Sequence, residues 1–236
     1  MAKPKISVVI PTYQEEKYIE NTLKALRNSD YKKKFEIIVA DGGSKDRTVR
    51  IARKYADKVV VTSRGVSKGR NAGALVSKGD VLVFIDADTV PYGNALNELE
   101  SAMRHRGVVG ATCPVMPMSS IAADWLQALA LKTITKLSLT TKRPVIPGIC
   151  IACRRDAFER IGGFDESINV NEDADFVMRL RRFGKIGFAE YTFVLTSTRR
   201  IQKWGRAKSM MKWIKINLKH VIFNEKTSIR EYRPCR

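Results

Sequence analysis

The sequence predicts an α/β fold with a mostly parallel central sheet flanked by helices. Three observations carry this. Four short apolar runs fall within the first 85 residues and alternate with segments of helical spacing. Polar clusters follow the first, second and fourth of those runs directly. The fourth run, Val81 to Ile85, contains no polar residue, as expected of a central strand covered on both faces.

Taken in order, Ile6 to Ile10 reads as the first strand, ended by Pro11. Tyr18, Ile19, Thr22, Leu23 and Leu26 then recur at helical spacing. Phe35 to Ala40 is the second strand, and Asp41-Gly42-Gly43 ends it. Ser44 or Asp46 would cap the next helix, whose shared face is Val49, Ala52 and Ala56. A third strand spans Val59 to Thr62, a glycine-spaced helix spans Gly69 to Ser77, and the strand Val81 to Ile85 follows. In such sheets ligands bind beyond the carboxyl ends of the strands. The clusters Thr12 to Glu15, Asp41 to Ser44 and Asp86 to Thr89 therefore point to one cleft. Further on, Ile121 to Leu139 has helical spacing, Lys142-Arg143-Pro144 is a loop, and Ile149 to Cys153 is a strand. Phe176, Leu180 and Phe183 mark a helix, and Phe188 to Leu195 a late strand. A C-terminal amphipathic basic helix closes the pattern. Its stripe is Trp204, Ala207, Met211, Ile214, Leu218 and Val221, set among Lys203, Arg206, Lys208, Lys212, Lys215 and Lys219.

Composition bounds the function. The 236 residues are 44% hydrophobic and 28% charged, which is globular rather than disordered. No run of 18 apolar residues is present to span a bilayer, and the N-terminus lacks a signal-peptide pattern, so a cytoplasmic location is expected. Cys150 and Cys153 form a lone C-x-x-C inside an apolar run, with Cys113 and Cys235 far off in sequence. Buried thiols are expected there rather than a metal or redox site. The net charge of +19 suits nucleic acid, an anionic membrane or a polyanionic substrate, and by itself does not choose among them.

Five groups of residues are chemically suggestive. Asp86 and Asp88 end an apolar strand two residues apart, which in extended chain puts both carboxylates on one side. That is a hard-oxygen site for Mg²⁺ or Mn²⁺ able to neutralise a diphosphate. Asp41 could accept hydrogen bonds from a nucleobase edge, with Gly42 and Gly43 allowing close backbone approach; an ordinary capped turn is the plainer reading. In Gly69-Arg70-Asn71-Ala72-Gly73 the small residues allow close helix packing, leaving Arg70 to reach a phosphate or base. Glu172, Asp173 and Asp175 begin a helix, where acids are favoured anyway, and one facing the cleft could act as a general base. Arg199 and Arg200 suit a diphosphate, or form a solvated basic turn.

Together these segments resemble the family 2 glycosyltransferases of the GT-A fold, in which the central sheet is Rossmann-like. The matching stretches are Ser7 to Glu15 (SVVIPTYQE), Glu36 to Thr48 (EIIVADGGSKDRT), Gly69 to Gly73 (GRNAG), Phe84 to Thr89 (FIDADT), Gly162 to Glu166 (GGFDE) and Glu172 to Leu180 (EDADFVMRL), in the family's order. The resemblance implies an inverting glycosyltransferase that uses a nucleotide-sugar donor, UDP- or GDP-linked. Pro11, Thr12, Tyr13, Glu15, Asp41 and Gly43 would hold the nucleoside, and Arg70 would approach base or phosphates. Asp86 and Asp88 would hold the divalent metal, with Asp86 also at the donor, and Asp173 would be the base. Arg199 and Arg200 would bind the leaving diphosphate. Residues 1–110 would form the nucleotide-sugar half, 111–200 the acceptor half of the same domain, and 201–236 the basic helix and tail. The Q-x-x-R-W of processive members is absent where Arg200 to Trp204 stands, so non-processive transfer is expected.

The terminal helix, with Trp204 and Trp213 on a lysine-rich ground, also reads as interfacial on anionic lipid. This suggests peripheral contact at the inner face of the membrane, and a polyprenyl-phosphate or lipid-linked acceptor. The same helix could instead pack on the domain or form a homodimer. Two other readings compete. Asp86-Ala87-Asp88-Thr89-Val90 also resembles the nucleophile motif of haloacid-dehalogenase-like phosphohydrolases, though that motif normally follows the first strand. A basic chain could also bind nucleic acid, but no nucleic-acid motif or base-stacking platform is present, so a nucleic-acid partner is not expected.

Overall fold

The computed structural model describes residues 3–141, 143–168, 170–206, 208, 209 and 211. The alternating first half forms β1 (Ile6–Thr12), α1 (Ile19–Arg27), β2 (Phe35–Asp41), α2 (Thr48–Tyr55), β3 (Lys58–Val61), α3 (Val66–Val76) and β4 (Val81–Ile85). Then follow β5 (Thr89–Pro91), α4 (Ala95–Ala102), β6 (Val108–Thr112), β7 (Val115–Met118), α5 (Ala122–Ser138), β8 (Cys150–Arg154) and α6 (Arg155–Arg160). The chain continues with α7 (Glu172–Arg181), β9 (Lys185–Phe188), β10 (Val194–Ser197) and α8 (Arg199–Trp204).

Seven strands make one sheet in the order β3-β2-β1-β4-β8-β6-β9. The first four are mutually parallel, β8 runs antiparallel to both its neighbours, and β6 pairs parallel with β9. This is the mostly parallel sheet expected, with one reversed strand that apolar patterning could not orient. All five residues of β4 are buried, consistent with its central place. One core layer gathers Ile10, Leu23, Val39 and Ile85 against α1, and the other gathers Val9, Phe84, Phe164 and Phe176. Helix α3 seats closely because Gly73 lies where a methyl would overlap Val9.

Several expectations needed correction. The strand β1 continues through Pro11, which pairs only toward β2, because the registered pairing with β4 stops at Val9. A proline is tolerated there since its missing N–H leaves no ladder bond unmade. The late strand is two strands in different sheets: β9 joins the large sheet, and β10 lies between β5 and β7 in a three-stranded sheet. Phe183 falls beyond α7 and is exposed, so the buried face of that helix is Ala174, Phe176, Val177 and Leu180. The N-cap position of α2 is Arg47 rather than Ser44 or Asp46, and it makes no side-chain cap bond; Asp46, just ahead, accepts from the Thr48 amide at 3.0 Å, while Ser44 bonds Asp41. The proposed terminal stripe is interrupted at its start: α8 ends at Trp204, and Gly205 takes φ +80°, so Trp204 and Met211 do not share one continuous helix. Ala207, Ile214, Leu218 and Val221 of the stripe, and Lys212, Trp213, Lys215 and Lys219 around it, lie outside the described residues.

Candidate active site

The site forms where the carboxyl ends of β1, β2 and β4 meet the start of β8, the first turn of α7 and the start of α8. In-register pairing of Ile85 with Cys150 brings the chain leaving β4 beside the chain entering β8. Beyond β4, Asp86 to Thr89 does not stay extended. The Thr89 amide donates to the Asp86 carbonyl at 3.2 Å, making a turn, so the expected extended spacing of the two carboxylates is replaced by a turn that still leaves them close enough to repel. Its backbone is pinned on three sides. The Asp86 amide donates to the Ile149 carbonyl at 3.1 Å, the Thr22 hydroxyl to the Ala87 carbonyl at 2.8 Å, and the Ser197 amide to the Asp88 carbonyl at 3.1 Å.

Arg70 is the largest departure from expectation. It is 2% exposed and not free to reach a ligand. Its guanidinium donates to Glu172 at 3.0 Å, to Asp86 at 3.2 Å and to the Gly148 carbonyl at 2.8 Å, over the Phe164 ring. The cause is the seating of α3: Gly69 lies against Pro11 and Gly73 against Val9, so the residue between them is pressed inward. Arg70 therefore ties the aspartate after β4 to the first turn of α7. The neighbouring Asn71 ties a further motif. Its side-chain amide donates to the Phe164 carbonyl at 2.8 Å and accepts from the Phe164 amide at 2.9 Å.

Arg199 has the same character. It forks onto Glu15 at 2.7 and 2.9 Å, reaches Asp88 at 3.1 Å and lies over the Tyr18 ring. Glu15 is buried, and its amide donates to Thr48 Oγ1 at 2.8 Å, so it anchors the loop after β1. Arg200 is exposed, and its charge favours ionisation of both Asp86 and Asp88.

At the β1–β2 edge, Asp41 is 1% exposed. It accepts from the Gly43 amide at 3.0 Å, the Ser44 amide at 2.7 Å, the Ser44 hydroxyl at 2.6 Å and the Thr12 hydroxyl at 3.1 Å. Gly43 has φ +84°, the left-handed region that suits glycine. Tyr13 lies beside it with the Arg64 guanidinium 4.4 Å above its ring. Gln14, next to Tyr13, takes φ +54°, and Asn171, just before α7, takes φ +61°. These are the two described non-glycine residues in that sparse region, and each adjoins a segment that carries site residues, one the loop after β1 and the other the start of α7.

The electrostatics are those of crowded acids. Burial, and then the charge of Asp86, push Asp88 up to about 6. Burial also raises Asp86, opposed by Arg70. Burial and the neighbouring Asp173 push Glu172 up to about 7. Asp173 is packed so closely on Gly148 that a methyl there would overlap its carboxylate. Sequence reading missed Glu172 as a site residue, and Gly148 and Arg64 altogether. Glu172 was visible within the acidic cluster; Gly148 and Arg64 gave no signal beyond turn composition. Among the described residues no three or more His, Cys, Asp or Glu side chains are arranged so that together they could hold a metal ion. Asp86 and Asp88 nonetheless fit a hard divalent ion, because Mg²⁺-type sites take one or two carboxylates and complete the shell with phosphate and water oxygens. Such an ion would offset the burial that raises both groups and the charge of Asp86 that raises Asp88 further.

The three cysteines described are buried thiols. Cys150 and Cys153 belong to different core layers, on opposite faces of β8.

The model of the Glycosyl transferase family 2 matches residues 7–162, and the chain belongs to that family. It is 32% identical over 200 residues to the probable glycosyltransferase YdaM of Bacillus subtilis, covering 77% of this chain and 47% of that protein. It is 29% identical over 187 residues to the glycosyltransferase AglE of Haloferax volcanii, covering 75% and 61%. The chain thus spans about half the length of the curated relatives it matches. Among solved structures, the mannosyltransferase PcManGT of Pyrobaculum calidifontis, in complex with GDP-Man and Mn²⁺, superposes with a TM-score of 0.68 at 19% identity over 100% of this chain and 68% of that one. Staphylococcus aureus TarS 1-349 in complex with UDP-GlcNAc gives 0.66 at 21% identity over 82% and 58%. The fold is GT-A. Family membership favours the glycosyltransferase reading of these residues over the phosphohydrolase one.

Proposed function

We propose that the chain transfers a sugar, with inversion, from a UDP- or GDP-linked donor to an acceptor hydroxyl or phosphate, one residue at a time. The observation that carries this is the arrangement of Asp86 and Asp88 after β4 with Asp173 on α7, linked through Arg70 and Gly148. The nucleoside lies along Pro11, Thr12, Tyr13, Glu15, Asp41 and Gly43. Asp86 and Asp88 hold a Mg²⁺ or Mn²⁺ ion, which supplies neutralisation of the leaving diphosphate. With a hydroxyl acceptor, Asp173 takes the proton as the acceptor oxygen bonds the anomeric carbon. The bond from that carbon to the diphosphate oxygen breaks on the opposite face, and its electrons leave with the nucleoside diphosphate. With a phosphate acceptor, already ionised, Asp173 orients rather than deprotonates. Arg199 and Arg200 stand at the leaving-group side. Arg199, which holds Asp88 at 3.1 Å, would exchange that carboxylate for a phosphate, and the exposed Arg200 would add its charge there. The chain's net charge of +19 supports a lipid-linked phosphate or glycan acceptor at an anionic surface.

A thermal-shift panel of UDP- and GDP-sugars with Mn²⁺, Mg²⁺ or chelator tests this, since native-state binding raises the melting temperature. One nucleotide class should shift the wild type only with metal, and Asp88→Asn should abolish the shift. A shift unaffected by chelator and by that substitution would overturn the metal assignment.

A further inference from the structure

The helix α5 is inside out. Its buried side chains are Asp124, Ala128 and Thr135, whereas Trp125, Leu126, Leu129, Ile134 and Leu137 are exposed, Leu126 at 71% and Leu137 at 67%. Ile121 and Met118, just ahead of the helix, add to the same exposed surface. Half of the large apolar side chains that the described residues expose thus lie between Met118 and Leu137. A helix of 17 residues is about 25 Å long. An apolar strip of that length on a water-facing helix marks an interaction surface.

We propose that this face of α5 docks on an anionic lipid surface. Charge decides among occupants. The acids beside the helix are held in ion pairs: Asp124 with Arg206 at 2.7 Å, and Glu190 with Lys136 at 2.7 Å. The exposed residues of the helix itself include no acid. Arg206 is fixed against its first turn, Lys203 and Lys208 flank Arg206 in the chain and are exposed, and Lys132 lies further along the helix. An apolar strip with a basic rim matches lipid tails beneath anionic headgroups. A second copy would instead bring two such basic rims together in a chain of net charge +19. Polar side chains turned toward the protein and leucines turned outward also suit a lipid medium better than an aqueous one.

Docking here would hold the catalytic cleft near the surface. Strand β7 leads into α5 and pairs with β10, and β10 leads into Arg199 beside Asp88. The inference does not rest on the proposed transfer chemistry, because lipid binding is read without donor and donor binding without lipid.

The test is co-sedimentation of the full chain with phosphatidylglycerol–phosphatidylcholine vesicles and with phosphatidylcholine alone. The wild type should bind the anionic vesicles. Leu126→Glu/Leu129→Glu/Leu137→Glu should lower the partition coefficient at least about tenfold, with an unchanged melting temperature. Leu126→Glu alone, at the most exposed position, should move it in the same direction and guards against misfolding of the triple variant. No binding of the wild type to anionic vesicles would overturn the proposal. So would equal binding of the variants, which would locate the contact elsewhere in the chain. A wild type that sediments as a dimer while the triple variant is a monomer would assign the face to a second copy instead.

Discussion

Replacing Arg70 with methionine removes the charge and keeps the length of the side chain. The side chain is 3% exposed and is paired to Glu172, 15% exposed, and to Asp86, 31% exposed. Removing one member of a buried ion pair leaves the other charged and unpaired, at about 3–5 kcal/mol. Asp86 keeps some solvent, so the lower end applies, about 3 kcal/mol. For a chain of this size that is a fall in melting temperature of roughly 6–12 °C. Acid should narrow the gap. Glu172 has a folded-state pKa of about 7, above its ordinary 4.5, so its favourable contribution is full below 4.5 and is lost as pH rises through 7. Without Arg70 the protonated form is favoured further. The variant should therefore lose most at pH 8, where an ionised Glu172 lacks its partner, and least near pH 6, where the proton replaces it. Scanning calorimetry of both proteins in chelator, without donor, at the two pH values is the assay. A variant within 2 °C of wild type at pH 8, or a gap that widens on acidification, would refute the reasoning.

Asp173→Asn should lower turnover by about 10²–10⁴ with a hydroxyl acceptor while leaving the donor-induced thermal shift intact; turnover close to wild type would remove Asp173 as the base. Burial holds the Cys153 thiol well above its ordinary range, and a hydrogen bond to Cys150 together with burial does so for Cys113. Native protein treated with iodoacetamide at pH 8 should therefore keep both unmodified in peptide mass mapping. Rapid alkylation of either would show that β8 and the end of β6 open locally.

The first half of the fold was readable because its strands and helices are local patterns with two distinct periods. All four parallel strands lie within two residues of their expected bounds, and the buried run Val81 to Ile85 was recognised as central from its lack of polar residues. The second half was less readable because there the sheet is assembled by distant pairing. Nothing in Phe188 to Leu195 signals that one end belongs to the large sheet and the other to a separate three-stranded one. That division is fixed by partners at Val108–Thr112, Thr89–Pro91 and Val115–Met118. The inverted face of α5 was likewise hidden. Apolar spacing announces a helix but does not say which face is covered. The motifs GRNAG and GGFDE were legible as family text, and their link was not. Asn71 closing on Phe164 is the physical reason that the two occur together.

The arginines show how far the fold, rather than the sequence, sets a cation's partners, and that bears on the site's chemistry. Arg70 and Arg199 were both expected to meet phosphate, and both are found holding carboxylates. Sequence shows that a cation is present but not how many acids the fold will gather around it. Here Glu15, Asp86, Asp88, Glu172 and Asp173 come together from three separate segments, so a chain of net charge +19 carries an acid-rich cleft. A diphosphate entering that cleft meets like charge, and the buried Arg70 and half-buried Arg199 are already engaged. Either the arginines must exchange partners or a cation must arrive with the donor. Asp86 and Asp88, both raised by burial and Asp88 further by the charge of Asp86, are where such a cation gains most, which is the physical ground for the proposed metal dependence.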